Sequence, residues 1–358
     1  MNISATNRAF TNSSGIINET HSRLDWVDYA RGLAIILVVY RHTMVGLTRS
    51  GLKVPDFLFS IQEFLLNVRM PVFFVLSGIF LARSYEKRSA FRIFIIKCKK
   101  LLYPYLIWAI ILVSIQIFLS DYTNSTRDYR DYLYIFTQPR ELDHMWYLLA
   151  LFNTTCLLLI LYKFIEKYPF LHIVLAVSLH FLHFYFIDYS IISDLMYNYI
   201  FLVIGVYSYR QIPKLEKLKI SALVLYFLLL LPVFVAGQLF WLNHIDKFYR
   251  PYENWYLIPF LLIILIACIV YYFLSRIIYE SGKATWLKWI GRYSLYIYIL
   301  HLLVISSVRI FFVQGLKVES VGILILASLL LGLTVPVLLY KLSERAGLYY
   351  LFSLEKPR

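Results

Sequence analysis

The sequence predicts an all-α, polytopic integral membrane protein of about ten transmembrane helices, with both termini in the cytoplasm. The mean hydropathy is +0.68, and 60% of the 358 residues are hydrophobic whereas only 16% are charged. Apolar runs of about 20 residues, the length that crosses a bilayer, recur from residue 27 onward. Basic residues are concentrated in alternate loops, as the positive-inside rule requires. These three observations exclude a soluble fold.

The apolar runs leave little chain for anything but membrane helices and short loops. We therefore expect a polar cytoplasmic tail over residues 1–26, one membrane domain over residues 27–341 and a cytoplasmic C-terminal tail over residues 342–358. Any chemistry must take place among the helices or their loops. The predicted spans cover residues 27–47, 60–82, 101–119, 145–162, 169–187, 194–209, 219–237, 255–275, 293–313 and 320–340.

The orientation follows from the loop between the second and third predicted spans, which is dense in Lys and Arg and is therefore assigned to the cytoplasm. Alternation then places most of the 35 basic residues on the cytoplasmic side. In a soluble protein, the formal net charge of +14 would suggest nucleic acid, but here membrane topology explains it, so no nucleic-acid partner is expected. The three cysteines are scattered and predict neither a disulfide framework nor a metal site.

The first predicted span contains two ionisable residues that membrane helices usually exclude, Arg31 and His42. Eleven residues in an α-helix turn through about 1100°, so both side chains lie on one face, about 16 Å apart along the axis. Ionisable groups at this depth face the protein interior and are candidates for function. The alternative is an arginine that reaches the headgroups and a hydrogen-bonded core histidine. A neutral imidazole at His42 could take a proton from a hydroxyl.

Other residues could complete a site. Arg69 and Pro71 lie in the second predicted span at about the depth of His42, and the proline is expected to kink that helix. Ser77-Gly78, in the same span, could serve helix packing or the close approach of a ligand. His144 and Trp146 lie at the start of the fourth span, and His301 lies within the ninth.

Three lysines, Lys97, Lys99 and Lys100, precede the third predicted span. They could bind anionic lipid headgroups or the phosphates of a nucleotide donor that enters from the cytoplasm. The pair His180 and His183 has no carboxylate at ligand spacing on its helix, and we interpret it as core or interfacial rather than as a metal site.

Several motifs, in this order along the chain, resemble the family-3 membrane acyltransferases, which include bacterial polysaccharide O-acetyltransferases and fucose acetylase-like proteins. They are RLDWVDYARG with the following His42, RMPVFFVLSG, KLLYPYLIW, MWYLLALF and IGRYSLYIYILH. Each motif alone is weak, but five in sequence are specific. Where some members carry paired arginines near the third span, this chain has Lys97 and Lys99, which keep the charge but lose the bidentate fork.

The resemblance implies a multi-pass enzyme of the cell inner membrane that moves an acyl group, usually acetyl, from a cytoplasmic acyl-CoA to a hydroxyl. The acceptor would be a sugar, a lipid-linked sugar or an extracytoplasmic glycan. It implies catalysis by His42, donor binding by Arg31, Lys97, Lys99 and Lys100, and no permanently bound cofactor. Arg69, Ser77, His144, Trp146 and His301 are candidates to line the acceptor cavity. Two alternatives stay open: an exporter or flippase of a lipid-linked glycan, and a haem protein that uses His42 and His301.

Overall fold

The computed structural model describes residues 24–119, 127–247 and 249–355. The predicted N-terminal tail, residues 1–26, therefore lies almost entirely outside the described residues, as do the last three residues of the C-terminal tail and part of the loop before the fourth span.

The regular secondary structure of the described residues is helical, apart from one isolated bridge between Ile245 and Pro251. Short 3₁₀ and π-helical segments join or extend several helices. The α-helices, in chain order, are α1 (Asp25–Arg49), α2 (Asp56–Phe64), α3 (Arg69–Tyr85), α4 (Ala90–Lys97), α5 (Tyr103–Phe118), α6 (Tyr134–Thr137), α7 (Trp146–Lys167), α8 (Pro169–Leu182), α9 (Ser190–Ser208), α10 (Ile212–Leu215), α11 (Ile220–Asn243), α12 (Leu257–Glu280), α13 (Thr285–Arg292), α14 (Ser294–Arg309) and α15 (Val321–Arg345).

Within the described residues, ten helical stretches are long and apolar enough to cross a membrane, which confirms the predicted fold class. Most begin and end within a few residues of the predicted positions. α1 is the central helix, because it contacts α3, α12, α13, α14 and α15. α11, in contrast, is exposed over most of its length and lies at the periphery. The helix that carries Arg31 and His42 is therefore surrounded by protein.

The second span differs from its prediction. It runs from Asp56 to Tyr85 and is interrupted at residues 65–68, between α2 and α3. The helix is therefore broken at residues 65–68, before Pro71, and not at Pro71 as we expected. Pro71 lies in the first turn of α3, where its missing N–H leaves no intrahelical bond unmade. The interruption leaves Arg69 as the first residue of a new helix.

The third span also differs, because its helical stretch begins at Ala90 rather than near residue 101. The basic segment that we predicted to be a loop is thus partly helical. Ser89 caps α4 by accepting a hydrogen bond from the backbone N–H of Arg92. A π-helical turn over Cys98–Leu102 then joins α4 to α5. Charge had hidden this helix from the sequence analysis, because Lys97, Lys99 and Lys100 lower the mean hydropathy where α4 ends and the π-helical turn begins.

The short helix α13 docks against the start of α1 through residues of two sequence motifs. Lys288 pairs with Asp25 at 2.7 Å, and Arg292 pairs with Asp28 at 3.3 Å. Gly291 lets the two backbones touch, because a Cβ at that position would lie only 1.7 Å from the Asp28 carbonyl oxygen. Much of the RLDWVDYARG and IGR pattern therefore holds α1 in position.

We expect Gly291→Ala to destabilise the protein by about 1–3 kcal/mol, because the added methyl group forces α13 away from α1. Gly322→Ala is the matched control, since no atom lies within 4 Å of a Cβ placed there. The thermal unfolding midpoint of each detergent-solubilised variant measures the effect. Equal midpoints for the two variants would contradict the close contact between α1 and α13.

Candidate active site

Three histidines that are far apart in sequence meet in the interior of the bundle. His42 comes from α1, His144 from the segment before α7, and His301 from α14. The ring centroids are 5.1 Å apart for His42 and His301, 4.8 Å for His144 and His301, and 6.2 Å for His42 and His144. We call these three residues the histidine cluster. It unites the predicted catalytic residue with two of the predicted cavity residues.

Backbone carbonyls fix two of the three rings. His301 Nδ1 lies 2.7 Å from the Tyr298 carbonyl oxygen and donates to it, and His144 Nε2 donates to the Ile299 carbonyl oxygen at 3.1 Å. The hydroxyl of Tyr298 in turn donates to the His144 carbonyl oxygen. The opposite nitrogens, His144 Nδ1 and His301 Nε2, are buried without a hydrogen-bond partner among the described residues. They are available as acceptors.

His42 is half-buried and lies at a cavity of about 140 Å³ near the end of α1. Polar groups line this His42 cavity, including Gln116, Asp143 and Arg309. Asp143 is held by Gln116 Nε2 at 2.9 Å and has φ of 57°, which a residue with a Cβ adopts only under strain. The residue after it is His144. The cavity could admit a polar molecule to the histidine cluster from one end of the bundle.

A chain of aromatic contacts leads from the histidine cluster toward the start of α1. Tyr298 packs on both His144 and His301, with centroids 5.3 and 5.9 Å away, and Tyr147 packs on Tyr298 at 5.2 Å. Tyr147 interacts electrostatically with Arg31, and the Ser77 side chain acts on the same phenol. Edge-to-face and tilted ring contacts thus extend from the histidine cluster to Tyr147, on which Arg31 acts.

Basic side chains gather around the other end of this aromatic chain. The Arg31 guanidinium lies over the ring of Phe80, 4.9 Å from its centroid. Arg31 and Lys100 both interact electrostatically with Lys97. Lys99 is turned toward Glu355, with Nζ 3.4 Å from the carboxylate. Of the three predicted lysines, Lys97 is therefore the one on which Arg31 is seen to act.

The remaining predicted residues occupy different surroundings. Arg69 is buried and donates to the Leu37 carbonyl oxygen at 3.4 Å. Trp146 stacks with Arg140, whose Cζ lies 4.3 Å from the ring centroid. Arg140 is in turn paired with the buried Asp194 at 2.5 Å. Trp146 thus lies beside an ion pair that the sequence did not predict.

The adjacent residues Ser77 and Gly78 have different roles. Gly78 serves helix packing, because a Cβ there would lie 2.1 Å from the Leu202 carbonyl oxygen and 2.9 Å from Gly205 of α9. Ser77 instead acts on the phenol of Tyr147, which belongs to the aromatic chain. The packing interpretation and the site interpretation therefore apply to adjacent residues.

Sequence analysis missed Tyr147, Tyr298, Asp143 and the Arg140–Asp194 pair. Tyrosines are abundant in this chain, so their position alone carried little signal. Tyr147 directly follows the singled-out Trp146, and Asp143 directly precedes His144, so adjacency to a predicted site residue was the one available indication.

The described residues contain no group of three or more His, Cys, Asp or Glu side chains that could hold a metal ion. His180 Nδ1 bonds the Tyr197 carbonyl oxygen at 2.9 Å, and His183 Nδ1 bonds the His180 carbonyl oxygen, which fits the core interpretation of that pair. The chemistry that this site offers is acid–base chemistry by imidazole.

Comparison with protein-family models matches residues 24–341 to an acyltransferase domain. Comparisons with curated proteins and with solved structures found no significant match. Within the described residues, the matched range covers nine of the ten candidate spans in full, the tenth as far as residue 341, and every residue of the site. The chain therefore belongs to the family-3 acyltransferases and is a multi-pass membrane acyltransferase.

Proposed function

We propose that this acyltransferase is an O-acyltransferase, in particular an O-acetyltransferase. It would move an acyl group from cytoplasmic acyl-CoA to a hydroxyl of a sugar, a lipid-linked sugar or an extracytoplasmic glycan. The observation that carries the proposal is the histidine cluster, which lies between a basic group at the start of α1 and, at its end, a largely apolar cavity whose lining includes some polar residues. Two substrates could reach it from opposite ends of the bundle.

The proposed orientation places both termini and the start of α1 at the cytoplasmic face of the inner membrane. The support is the concentration of Lys and Arg in the segments on that side of the sequence. The His42 cavity then opens toward the extracytoplasmic face. This arrangement suits a donor made in the cytoplasm and an acceptor exposed outside.

Arg31 and Lys97 are proposed to bind the phosphates of acyl-CoA, with Lys100 and Lys99 at the rim. The pantetheine arm would follow the aromatic chain past Tyr147 and Tyr298. Its extended length of roughly 15–20 Å matches the axial separation of about 16 Å between the two ionisable residues of α1. The thioester would then lie at the histidine cluster.

His42 is proposed as the general base. One of its ring nitrogens takes the proton of the acceptor hydroxyl while that oxygen attacks the thioester carbonyl carbon. A carbon–oxygen bond forms and the carbon–sulfur bond breaks. The proton then passes from His42 to the departing thiolate, which restores the neutral imidazole. No group other than the two substrates is consumed.

The test of this proposal is mass spectrometry of surface glycan from cells with and without the gene. We expect the glycan from cells that lack the gene to be lighter by one acyl group at each modified residue. Unchanged glycan mass with less glycan at the surface would instead support an exporter of a lipid-linked glycan.

The two lysines on either side of Cys98 provide a matched pair for the donor site. Lys97→Met should raise the KM for acyl-CoA about tenfold, the effect of losing one charge-assisted hydrogen bond, while leaving the KM for the acceptor unchanged. Lys99→Met should have a much smaller effect, because Lys99 pairs with Glu355. Steady-state kinetics with each substrate varied in turn measures the difference. Equal KM values for acyl-CoA in both variants would indicate that Lys97 binds lipid headgroups rather than the donor.

A further inference from the structure

Two arginines lie close together beside the histidine cluster, in the half of the bundle where α1 ends. Arg41 Nη1 donates to Gln62 Oε1 at 2.8 Å, and the Arg41 guanidinium lies 5.6 Å from the ring centroid of Tyr249. Arg69, the first residue of α3, reaches the carbonyl oxygen of Leu37, one turn before Arg41 on α1. We call Arg41 and Arg69 the arginine pair. Neither has a role in the donor site.

The positive charge of Arg69 is poorly compensated. Arg69 is only 5% exposed, and its hydrogen bond to Leu37 is long, at 3.4 Å. The described groups that act on it electrostatically are Arg41, which repels it, and the phenol of Tyr249. Glu63 acts on Arg41 and accepts from the Tyr249 hydroxyl at 3.1 Å. A buried guanidinium without a carboxylate partner in a membrane span is costly and indicates an anionic ligand.

Two amide groups beside the arginine pair add unused donors. Gln62 Oε1 accepts a hydrogen bond from Arg41, and Gln62 Nε2 is buried without a partner among the described residues. Asn67 Oδ1 accepts from Gln238 Nε2 at 3.0 Å, which leaves Asn67 Nδ2 buried and likewise without a described partner. Both residues are more than nine-tenths buried. Buried N–H groups without acceptors favour an acceptor from outside the chain. Gln238 Oε1 is also buried without a described partner, so the Asn67–Gln238 pair has one unused acceptor as well, and Gln62 Nε2 is the clearer of the two donors.

The interruption of the second span adds a favourable helix end. α3 has 17 residues and begins at Arg69, after the break at residues 65–68. The N-terminus of a helix carries a partial positive charge, and broken membrane helices present such ends to anionic substrates. The guanidinium pair, the amide donors and this helix end all lie in one short stretch of structure and all favour negative charge.

We infer that the acceptor substrate carries an oxyanion, a carboxylate on the sugar or a phosphate attached to it, and that Arg69 and Arg41 bind this group. The inference rests on the proposed function, since it concerns the acceptor of the same reaction. Arg41 immediately precedes His42, and both guanidiniums interact electrostatically with the His42 ring. An oxyanion held there places a neighbouring hydroxyl of the same molecule at the general base.

The experiment uses the full chain, purified and reconstituted in phosphatidylcholine nanodiscs. Binding of methyl glucoside, methyl glucuronide and glucose 1-phosphate is measured by saturation-transfer NMR, and transfer from radiolabelled acetyl-CoA to each is measured in parallel. We expect both anions to bind about 10- to 100-fold more tightly than methyl glucoside, the effect of hydrogen bonds to a charged group. The anion that binds more tightly shows whether the acceptor carries a carboxylate or a phosphate.

Arg69→Met and Arg41→Met should each remove most of this preference, and Arg69→Lys should retain part of it. Arg130→Met is the matched control, because Arg130 is exposed and stacks only on Tyr129 within the described residues. If Arg69→Met does not fold, Arg69→Lys and Arg41→Met still test the pair. Loss of anion binding in the Arg69 and Arg41 variants, with normal binding in Arg130→Met, is the expected result.

The outcomes separate the two proposals. Anion binding that depends on Arg69, without acyl transfer to any probe, would support the anion site and count against the proposed function. Acyl transfer with equal affinity for the neutral and anionic probes would overturn the anion site and leave the proposed function standing. Anion affinity that is unchanged by the Arg69 and Arg41 variants would also overturn the anion site.

Discussion

Replacing His42 by glutamine should lower the acyl-transfer rate by about 10²–10⁴-fold, the usual contribution of a general base. Glutamine keeps a similar size and can hydrogen-bond, but it cannot take a proton near neutral pH. Because His42 is only half-buried and lies at a cavity, the substitution should not disturb folding. Binding of coenzyme A should persist, since the proposed donor phosphates lie about 16 Å away along α1.

The measurement is steady-state transfer by purified protein, together with coenzyme A binding by calorimetry. His244→Gln is the matched control, because His244 is also half-buried and packs against Phe240 and Tyr256 rather than in the histidine cluster. Near-normal turnover by His42→Gln would remove His42 from catalysis. Loss of folded protein in that variant would indicate a structural role instead.

His301 should respond differently to the same substitution. Its Nδ1 is bound to the Tyr298 carbonyl oxygen, so its buried Nε2 can only accept a hydrogen bond. The His42 ring lies 5.1 Å away by centroids. We expect it to donate to that acceptor during turnover, which would fix its own proton on one nitrogen. We therefore expect His301 to be a positioning residue, which orients His42 by accepting a hydrogen bond and does not itself take a proton.

His301→Leu should therefore lower kcat about 10²-fold without changing the KM for acyl-CoA, whereas His301→Gln, which still offers an acceptor oxygen, should recover a substantial part of that loss. Steady-state kinetics of the two variants measures the contrast. If leucine and glutamine are equally damaging at residue 301, the hydrogen-bond role is wrong. If glutamine at residue 301 is as damaging as glutamine at residue 42, His301 is the better candidate for the base.

The sequence was sufficient for the membrane helices because each depends on a local apolar run, and the number of spans is confirmed. It also placed Arg31 and His42 on one face, since helix geometry alone sets that relation. The break at residues 65–68 could not be seen in the same way, because Pro71 was the visible signal and the interruption lies before it. Likewise, the helical start at Ala90 was masked by charge.

Contacts between distant segments lay beyond the sequence. His42, His144 and His301 were each singled out, but nothing local in the sequence shows that two helices and the segment before α7 bring them together. Asp28 of α1 pairs with Arg292 of α13, although 264 residues separate the two along the chain. Such pairings depend on how helices pack, and a single sequence does not encode them in any short pattern.

The most direct test of the central claim uses proteoliposomes of one orientation, with radiolabelled acetyl-CoA on the side of the α1 start and acceptor glycoside sealed on the other side. The account predicts labelled acceptor inside vesicles that contain the wild-type protein and none in vesicles that contain His42→Gln. Label that never reaches the enclosed acceptor, while the same protein transfers acetyl to acceptor on the donor side, would contradict transfer across the bundle through the histidine cluster.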